Sequence, residues 1–229
     1  DMVKQIAGDK VRLTGLMGPG VDPHLYEPIP SDGIALSEAD LIFYNGLFLE
    51  GQMTSNLKNQ GGIDFGSTVS EDQLKGDQSH PDPHIWGNAQ IWAGCVPLVV
   101  KALSVEDPQN SSHYKERGNY LIETLRELHQ WSRSRVDSLP EDSRILITSH
   151  DAFEYFGESY GFRVVALQGI STATEAGIAE RVKLVDFIKK NQIKSIFIES
   201  SVSPAAIKSI AEDSGAKIGG ELFSDAMGE

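Results

Sequence analysis

Two hydrophobic periods alternate along the second half of the chain. Short apolar runs of four to seven residues are separated by longer stretches with the three- and four-residue spacing of helices. The runs predict strands at residues 144–149, 162–167, 195–198 and 217–223, and the stretches predict helices at residues 151–160, 178–191 and 203–214. Strands that alternate with helices of this length are typical of βαβ units and a parallel sheet.

The first part of the chain alternates less regularly. Its pattern predicts a strand at residues 11–17, a short helix at 31–40, a buried strand at 41–44 and an apolar helix at 88–103. Residues 51–78 have no clear period, and we interpret them as a loop-rich connection that contains one short helix.

The longest helical pattern lies between these two parts. Over residues 111–139 apolar positions recur at helical spacing, with one glycine and no proline; they are Tyr114, Leu121, Leu125, Leu128 and Val136. Such a helix would be roughly 40 Å long, which is more than one small lobe needs. We therefore predict an α/β protein of two lobes, each with a parallel-type sheet flanked by helices, joined by one long rigid helix. The predicted parts are an N-terminal lobe at residues 1–110, the linking helix at 111–139 and a C-terminal lobe at 140–229.

The charge of the chain narrows the classes of partner. Its 229 residues carry 20 Lys plus Arg and 33 Asp plus Glu, a formal net charge of −13. This surface repels phosphate backbones and anionic lipid, and the longest basic cluster is Lys189-Lys190, so we expect no nucleic-acid partner. The single cysteine, Cys95, lies in an apolar run and is interpreted as a small buried hydrophobe.

One tripeptide occurs twice, as Asp-Pro-His at residues 22–24 and again at residues 82–84. The proline fixes φ and stiffens the chain just before the imidazole, an arrangement suited to aiming a side chain. The tripeptides therefore make His24 and His84 candidate ligands.

Two further candidates follow predicted strands: His150 ends the strand at 144–149, and Asp225 lies just beyond the strand at 217–223. Ligands of open α/β sheets bind beyond the carboxyl ends of strands. Together with His24 and His84 these residues offer three imidazoles and a carboxylate, which suit Zn²⁺, and also Mn²⁺ or Fe²⁺ at a less tetrahedral site. Histidines at strand ends are also commonly capped or core residues, and the residues alone leave that alternative open.

Enzyme signals are weak. No Gly-x-Gly-x-x-Gly order, P-loop or Gly-x-Ser-x-Gly elbow occurs in the sequence. A zinc hydrolase with three histidine ligands would need an open coordination position and a general base. Asp151 is the only carboxylate adjacent to a proposed ligand, and we expect it to point away from the site. We predict that the chain is not an enzyme and keep the hydrolase as an alternative.

Six blocks of sequence, in order along the chain, resemble the solute-binding proteins of manganese, zinc and iron ABC transporters, the TroA-like family. The blocks are residues 20–27, 39–47, 82–86, 148–153, 167–172 and 219–226. The resemblance implies two α/β lobes joined by a long helix, with one metal held between them. It implies that His24 and His84 of the N-terminal lobe and His150 and Asp225 of the C-terminal lobe are the ligands.

The third ligand position bears on which metal is bound. Family members that prefer manganese usually have glutamate where this chain has His150, so the resemblance and the softness of imidazole favour Zn²⁺, then Mn²⁺, with Fe²⁺ last. Many zinc-specific members have a long His-rich loop before the second ligand. Here that region offers only His80 among acidic residues.

The function that the resemblance implies is capture of a divalent metal ion and its delivery to an ABC transporter permease. We expect a monomer in the periplasm or at the outer face of the cytoplasmic membrane, secreted or lipid-anchored. A surface adhesin with a structural metal would use the same residues and stays an alternative.

Overall fold

Pairs of parallel strands form the sheets of the protein. A computed structural model describes residues 1–77 and 79–226, so the predicted ranges that end at Gln78 and Glu229 extend outside the described residues. Residue contacts divide the chain into two units. The first unit comprises Asp1–Leu16 and Glu27–Arg133, and the second comprises Met17–Tyr26 and the chain from Ser134 onward.

The first unit is mainly helical. Its elements are α1 (Met2–Ala7), α2 (Pro30–Ser37), β1 (Phe43–Tyr44), α3 (Thr54–Asn59), β2 (Ile63–Asp64), α4 (Ala89–Glu106) and the first 23 residues of α5 (Ser111–Asp137). Strands β1 and β2 pair in parallel. The unit boundary at Arg133 lies inside α5, whose 27 residues correspond to about 40 Å. The predicted long helix is confirmed.

Helix α4 forms the core of the first unit. The side chain of Asn88 caps its first turn by accepting hydrogen bonds from the backbone N–H groups of Gln90 and Ile91. Cys95 and Val99 on this helix are fully buried, which confirms the interpretation of Cys95 as a core residue. By length and composition alone α4 is apolar enough to cross a membrane, but its buried side chains are also those of a core helix, against which α1 packs.

The second unit has the regular alternation that the sequence predicts. Its elements are β3 (Ile145–Thr148), α6 (Glu154–Tyr160), β4 (Arg163–Ala166), α7 (Ile178–Lys190), β5 (Ser195–Glu199), α8 (Ala205–Ser214) and β6 (Lys217–Leu222). Strand β3 pairs in parallel with β4, and β5 pairs in parallel with β6. Strand β3 also lies beside β5, so their carboxyl ends are neighbours. The predicted α/β class is confirmed.

Apolar side chains from strands and helices fill the core of the second unit. They include Ile147 of β3, Ile196 of β5, Ile188 of α7 and Ile207 of α8, each at most 1% exposed. Helices α6 and α8 both end at a glycine with φ of 79°, a left-handed conformation that glycine adopts without steric cost. These caps return the chain directly to the next strand.

Two sequence predictions need correction. Within the described part of the chain, residues 11–17 form no strand, and Leu13 is about half exposed. Alternation alone predicted that strand, but a strand requires a neighbouring backbone to pair with. In the connection at 51–78, β2 was missed because it is only two residues long and ends in Asp64. The lobe boundaries at residues 110 and 140 stay a prediction.

Candidate metal centre

Three of the predicted ligands lie together in the second unit. Each of His24, His150 and Asp225 has a potential ligand atom within 4.8 Å of those of the other two. His150 Nε2 is 3.2 Å from Asp225 Oδ2, and the rings of His24 and His150 meet edge to face with their centroids 5.8 Å apart. His150 follows the carboxyl end of β3 and Asp225 follows that of β6, which is where the sheet is expected to place ligands.

Glu199 holds His150 from behind. This residue ends β5, and its Oε2 is 2.6 Å from His150 Nδ1. Its Oε1 accepts hydrogen bonds from the backbone N–H groups of Ser149 and His150, at 2.6 and 3.0 Å. Metal-binding histidines generally donate their second ring N–H to such a partner, which fixes the tautomer and the ring orientation. Glu199 thereby directs Nε2 of His150 towards Asp225.

The electrostatics at His150 favour a positive charge. Burial alone would lower the pKa of this imidazole, but hydrogen bonds to Asp225 and Glu199 outweigh burial and raise the pKa to about 10. Two carboxylates, both fully enclosed, face one ring from opposite sides. The pocket is therefore built to stabilise a cation, and a metal ion bound at Nε2 would supply positive charge where a proton otherwise does.

His24 is positioned by the first Asp-Pro-His tripeptide. Asp22 Oδ1 accepts the backbone N–H of His24 at 2.9 Å, and Asp22 Oδ2 accepts a hydrogen bond from the Thr172 hydroxyl at 2.6 Å. A carboxylate that accepts a backbone N–H two residues on forms a tight local turn. The aspartate of the tripeptide, and not only its proline, therefore aims the imidazole.

His84 belongs to the first unit and is held by the second tripeptide. Asp82 Oδ1 accepts both the backbone N–H and Nδ1–H of His84, at 2.9 and 2.6 Å, and both side chains are fully buried. With the proton on Nδ1, the Nε2 atom carries the lone pair that a metal requires. Asn45 Nδ2 donates to the Pro83 carbonyl at 2.9 Å and anchors the same turn. Participation of His84 in one site with the other three ligands stays a prediction.

A family model described as zinc-uptake complex component A, periplasmic (ZnuA), matches residues 1–229. The chain belongs to this family. The manganese-binding lipoprotein MntA of Bacillus subtilis is 40% identical over 240 residues, which span 100% of this ZnuA-family chain and 78% of MntA. The zinc-binding protein TroA of Treponema pallidum is 40% identical over 239 residues, with 100% and 78% covered.

A solved structure gives the same result for the fold. The periplasmic zinc-binding protein TroA from Treponema pallidum superposes with a TM-score of 0.96 at 38% sequence identity, covering 100% of this chain and 86% of that one. The predicted fold class and the predicted resemblance to metal-transporter binding proteins are both confirmed.

Sequence reasoning missed Glu199, although a signal for it was present. The residue follows the predicted strand at 195–198 just as His150 follows the predicted strand at 144–149. The rule that selected His150 and Asp225, a polar residue at the carboxyl end of a parallel strand, selects Glu199 as well.

Proposed function

We propose that the protein captures one divalent transition-metal ion as its substrate and delivers it to the permease of an ABC transporter. In this proposal His24, His84, His150 and Asp225 are the metal ligands. The observation that carries it is the convergence of two imidazoles and a carboxylate beside the buried Glu199. Such a ligand set, with an outer carboxylate that orients a histidine, is the usual construction of a protein metal site.

Zinc is the metal that we propose, with manganese second and Fe²⁺ third. Three imidazoles and one carboxylate match Zn²⁺ better than the harder Mn²⁺. The names of the relatives include both metals, since TroA is named as zinc-binding and MntA as manganese-binding. The preference for zinc therefore rests on the chemistry of the ligands, above all on the imidazole of His150.

Capture rather than catalysis is the chemistry that this site favours. A hydrolytic zinc site would need a carboxylate able to act as a general base near an open coordination position. Glu199 is the carboxylate behind His150, and its two oxygens already serve Nδ1 of His150 and two backbone N–H groups. Four protein ligands would complete a tetrahedral Zn²⁺ shell and leave no coordination position for a substrate molecule.

The location that we propose is outside the cytoplasm, in the periplasm or at the outer face of the cytoplasmic membrane, with the protein acting as a monomer. The family description as a periplasmic uptake component and the naming of MntA as a lipoprotein support such a location. A surface adhesin with a structural metal differs from this proposal only in lacking a partner permease, and reconstituted metal uptake would distinguish the two.

The direct test measures affinity for Zn²⁺ and Mn²⁺ after removal of metal with a chelator. Alanine at His24, His84, His150 or Asp225 should each weaken binding by more than the roughly 10- to 100-fold that loss of an outer partner causes. His80→Ala removes an exposed imidazole and is the matched control. A wild-type protein that binds neither metal at micromolar concentration would overturn the proposed function.

Metal preference has its own test. His150→Glu should move the ratio of the two affinities towards Mn²⁺, because a carboxylate is the harder ligand. His80→Glu makes the same chemical change on an exposed loop and should leave the ratio as it is. An unchanged ratio in His150→Glu would contradict the assignment of selectivity to this position.

A further inference from the structure

The loop that follows β1 has an unusual backbone. Gly46, Leu47 and Phe48 have φ values of 79°, 53° and 66°, so three successive residues are left-handed. Residues other than glycine occupy this region at a steric cost and seldom in succession. Phe48 at the tip is 63% exposed, so burial of the tip does not offset that cost. Strain of this kind persists only where neighbouring contacts enforce it.

Glu50 provides those contacts from within the loop. Its Oε1 accepts the backbone N–H of Asn45 at 2.6 Å, and its Oε2 accepts that of Gly46 at 3.2 Å. The residue is 7% exposed, and none of the ion pairs seen among the described residues includes it. Burial raises the pKa of Glu50 to about 7, against the lowering effect of backbone hydrogen bonds from Asn45, Gly46 and Glu50 itself. A carboxylate kept in so unfavourable a place indicates a role beyond solubility.

Asn45 connects this loop to the turn that carries His84. Its backbone N–H is held by Glu50, and its carbonyl accepts the backbone N–H of Gly66 at 2.8 Å. With its main chain fixed on both sides, its Nδ2 donates to two carbonyl oxygens, those of Gly46 at 3.2 Å and Pro83 at 2.9 Å. Both partners are acceptors, so the position requires a donor. Pro83 immediately precedes His84.

We propose that Glu50 is a positioning residue for the metal ligand His84 and acts through Asn45. The carboxylate fixes the Asn45 backbone, the Asn45 amide fixes the Pro83 carbonyl, and the turn at residues 82–84 presents the imidazole. This role rests on the proposed function, because it presumes that His84 binds the metal. The proposal gives the Asn-Gly-Leu-Phe-Leu-Glu segment at residues 45–50 a role in metal binding, although none of these residues is a proposed ligand.

The test is a double-mutant cycle on metal affinity. Glu50→Gln keeps the shape of the side chain but removes its charge and one acceptor, and Asn45→Asp replaces the amide donor with an acceptor. Each should weaken Zn²⁺ binding by about 10-fold, as is typical for loss of an outer partner. Because both act on one path, the double variant should lose little more than the larger single loss. Glu38→Gln, an equal change of charge at an exposed position, is the matched control.

A second readout separates positioning from a structural role. In the metal-free protein, ring NMR signals of His84 should shift in both variants, while those of His129 on α5 should not. Asn45→Ala, which removes the donor without adding a charge, replaces Asn45→Asp if the latter does not fold. Losses that add in the double variant, or unchanged affinity with only lower thermal stability, would overturn the positioning role while the proposed function stands. If wild-type protein binds neither metal, both fail together.

Discussion

His84 and His150 are both buried imidazoles whose Nδ1 lies 2.6 Å from a carboxylate, but the carboxylates come from different distances along the chain. Asp82 lies two residues before His84 in the same turn. Glu199 lies 49 residues after His150 and reaches it only because β5 lies beside β3. The same orientation of a histidine is thus obtained once from a local motif and once from the packing of the sheet.

The difference has energetic consequences. The contact between Asp82 and His84 can form as soon as its turn forms, because few residues need to be ordered. The contact between Glu199 and His150 requires β3 and β5 of the second unit to lie side by side. Disruption at Glu199 should therefore affect the whole second unit, whereas disruption at Asp82 should remain close to its turn.

Replacement of Glu199 should have the largest effect. Glu199→Ala leaves two buried N–H groups and the His150 ring without their acceptor, and loss of one member of a buried pair costs about 3–5 kcal/mol. Urea unfolding of the metal-free protein measures the loss. Glu212→Ala, an exposed glutamate on α8, should change stability by less than about 0.5 kcal/mol. If Glu199→Ala lost less than about 0.5 kcal/mol of stability, His150 would depend on distant structure no more than His84 does.

Burial of Glu50 should make the stability of the protein depend on pH. The pKa of Glu50 is raised from 4.5 to about 7, chiefly by burial, and Asp64 on β2 adds to the rise. Between these pH values the folded protein retains a proton that the unfolded chain has lost, so the contribution of Glu50 to stability falls as pH rises. The cost is absent below about pH 4.5 and complete above about pH 7, where it reaches about 3 kcal/mol.

Glu50→Gln cannot ionise and so lacks this cost. The stability of the variant relative to wild type should therefore rise by about 3 kcal/mol from about pH 4.5 to about pH 7, on top of a pH-independent loss for the acceptor that the substitution removes. Chemical denaturation at a series of pH values measures the difference, with Glu38→Gln as the control. A difference that does not vary with pH would show that Glu50 is ionised at its ordinary pKa.

Asp82→Asn should have a smaller effect than the change at Glu199. The amide oxygen can still accept the backbone N–H of His84, while the charged partner of its Nδ1 is lost. We expect a loss of stability of about 1–2 kcal/mol and a fall in Zn²⁺ affinity of about 10-fold. Calorimetric titration with Zn²⁺ and urea unfolding give the two numbers. A loss as large as that of Glu199→Ala would mean that the local turn also depends on distant structure.

The prolines of the two tripeptides should contribute least. Pro23→Ala and Pro83→Ala leave the hydrogen bonds from the His24 and His84 backbones to Asp22 and Asp82 in place. They mainly increase the conformational freedom of the unfolded chain, which should lower stability by about 0.4–1 kcal/mol each, plus any loss of packing. Thermal unfolding compared with Pro108→Ala, an exposed proline before α5, checks this. If either proline variant weakened Zn²⁺ binding more than Asp82→Asn does, proline rather than aspartate would be the residue that orients the imidazoles.

Much of the second unit could be predicted because its signals are local. Apolar runs matched β3, β4, β5 and β6 to within one or two residues at each end, and a glycine closes two of the three helices between them, α6 and α8. The strand predicted at 11–17 was wrong and β2 was missed, since a pairing partner cannot be seen in a local pattern. Short strands such as β2 exist only through their neighbours.

The sequence by itself determined the α/β alternation, the long helix, the candidate ligands and the two Asp-Pro-His turns, in which Asp22 and Asp82 accept the backbone N–H groups of His24 and His84. These features depend on residues within one helix or one turn, where few conformations need to be excluded. The tertiary structure alone decided that Glu199 holds His150 and that Asn45 reaches Pro83. Contacts between residues 38 or 49 positions apart form only when strand pairing and burial have brought the two segments together.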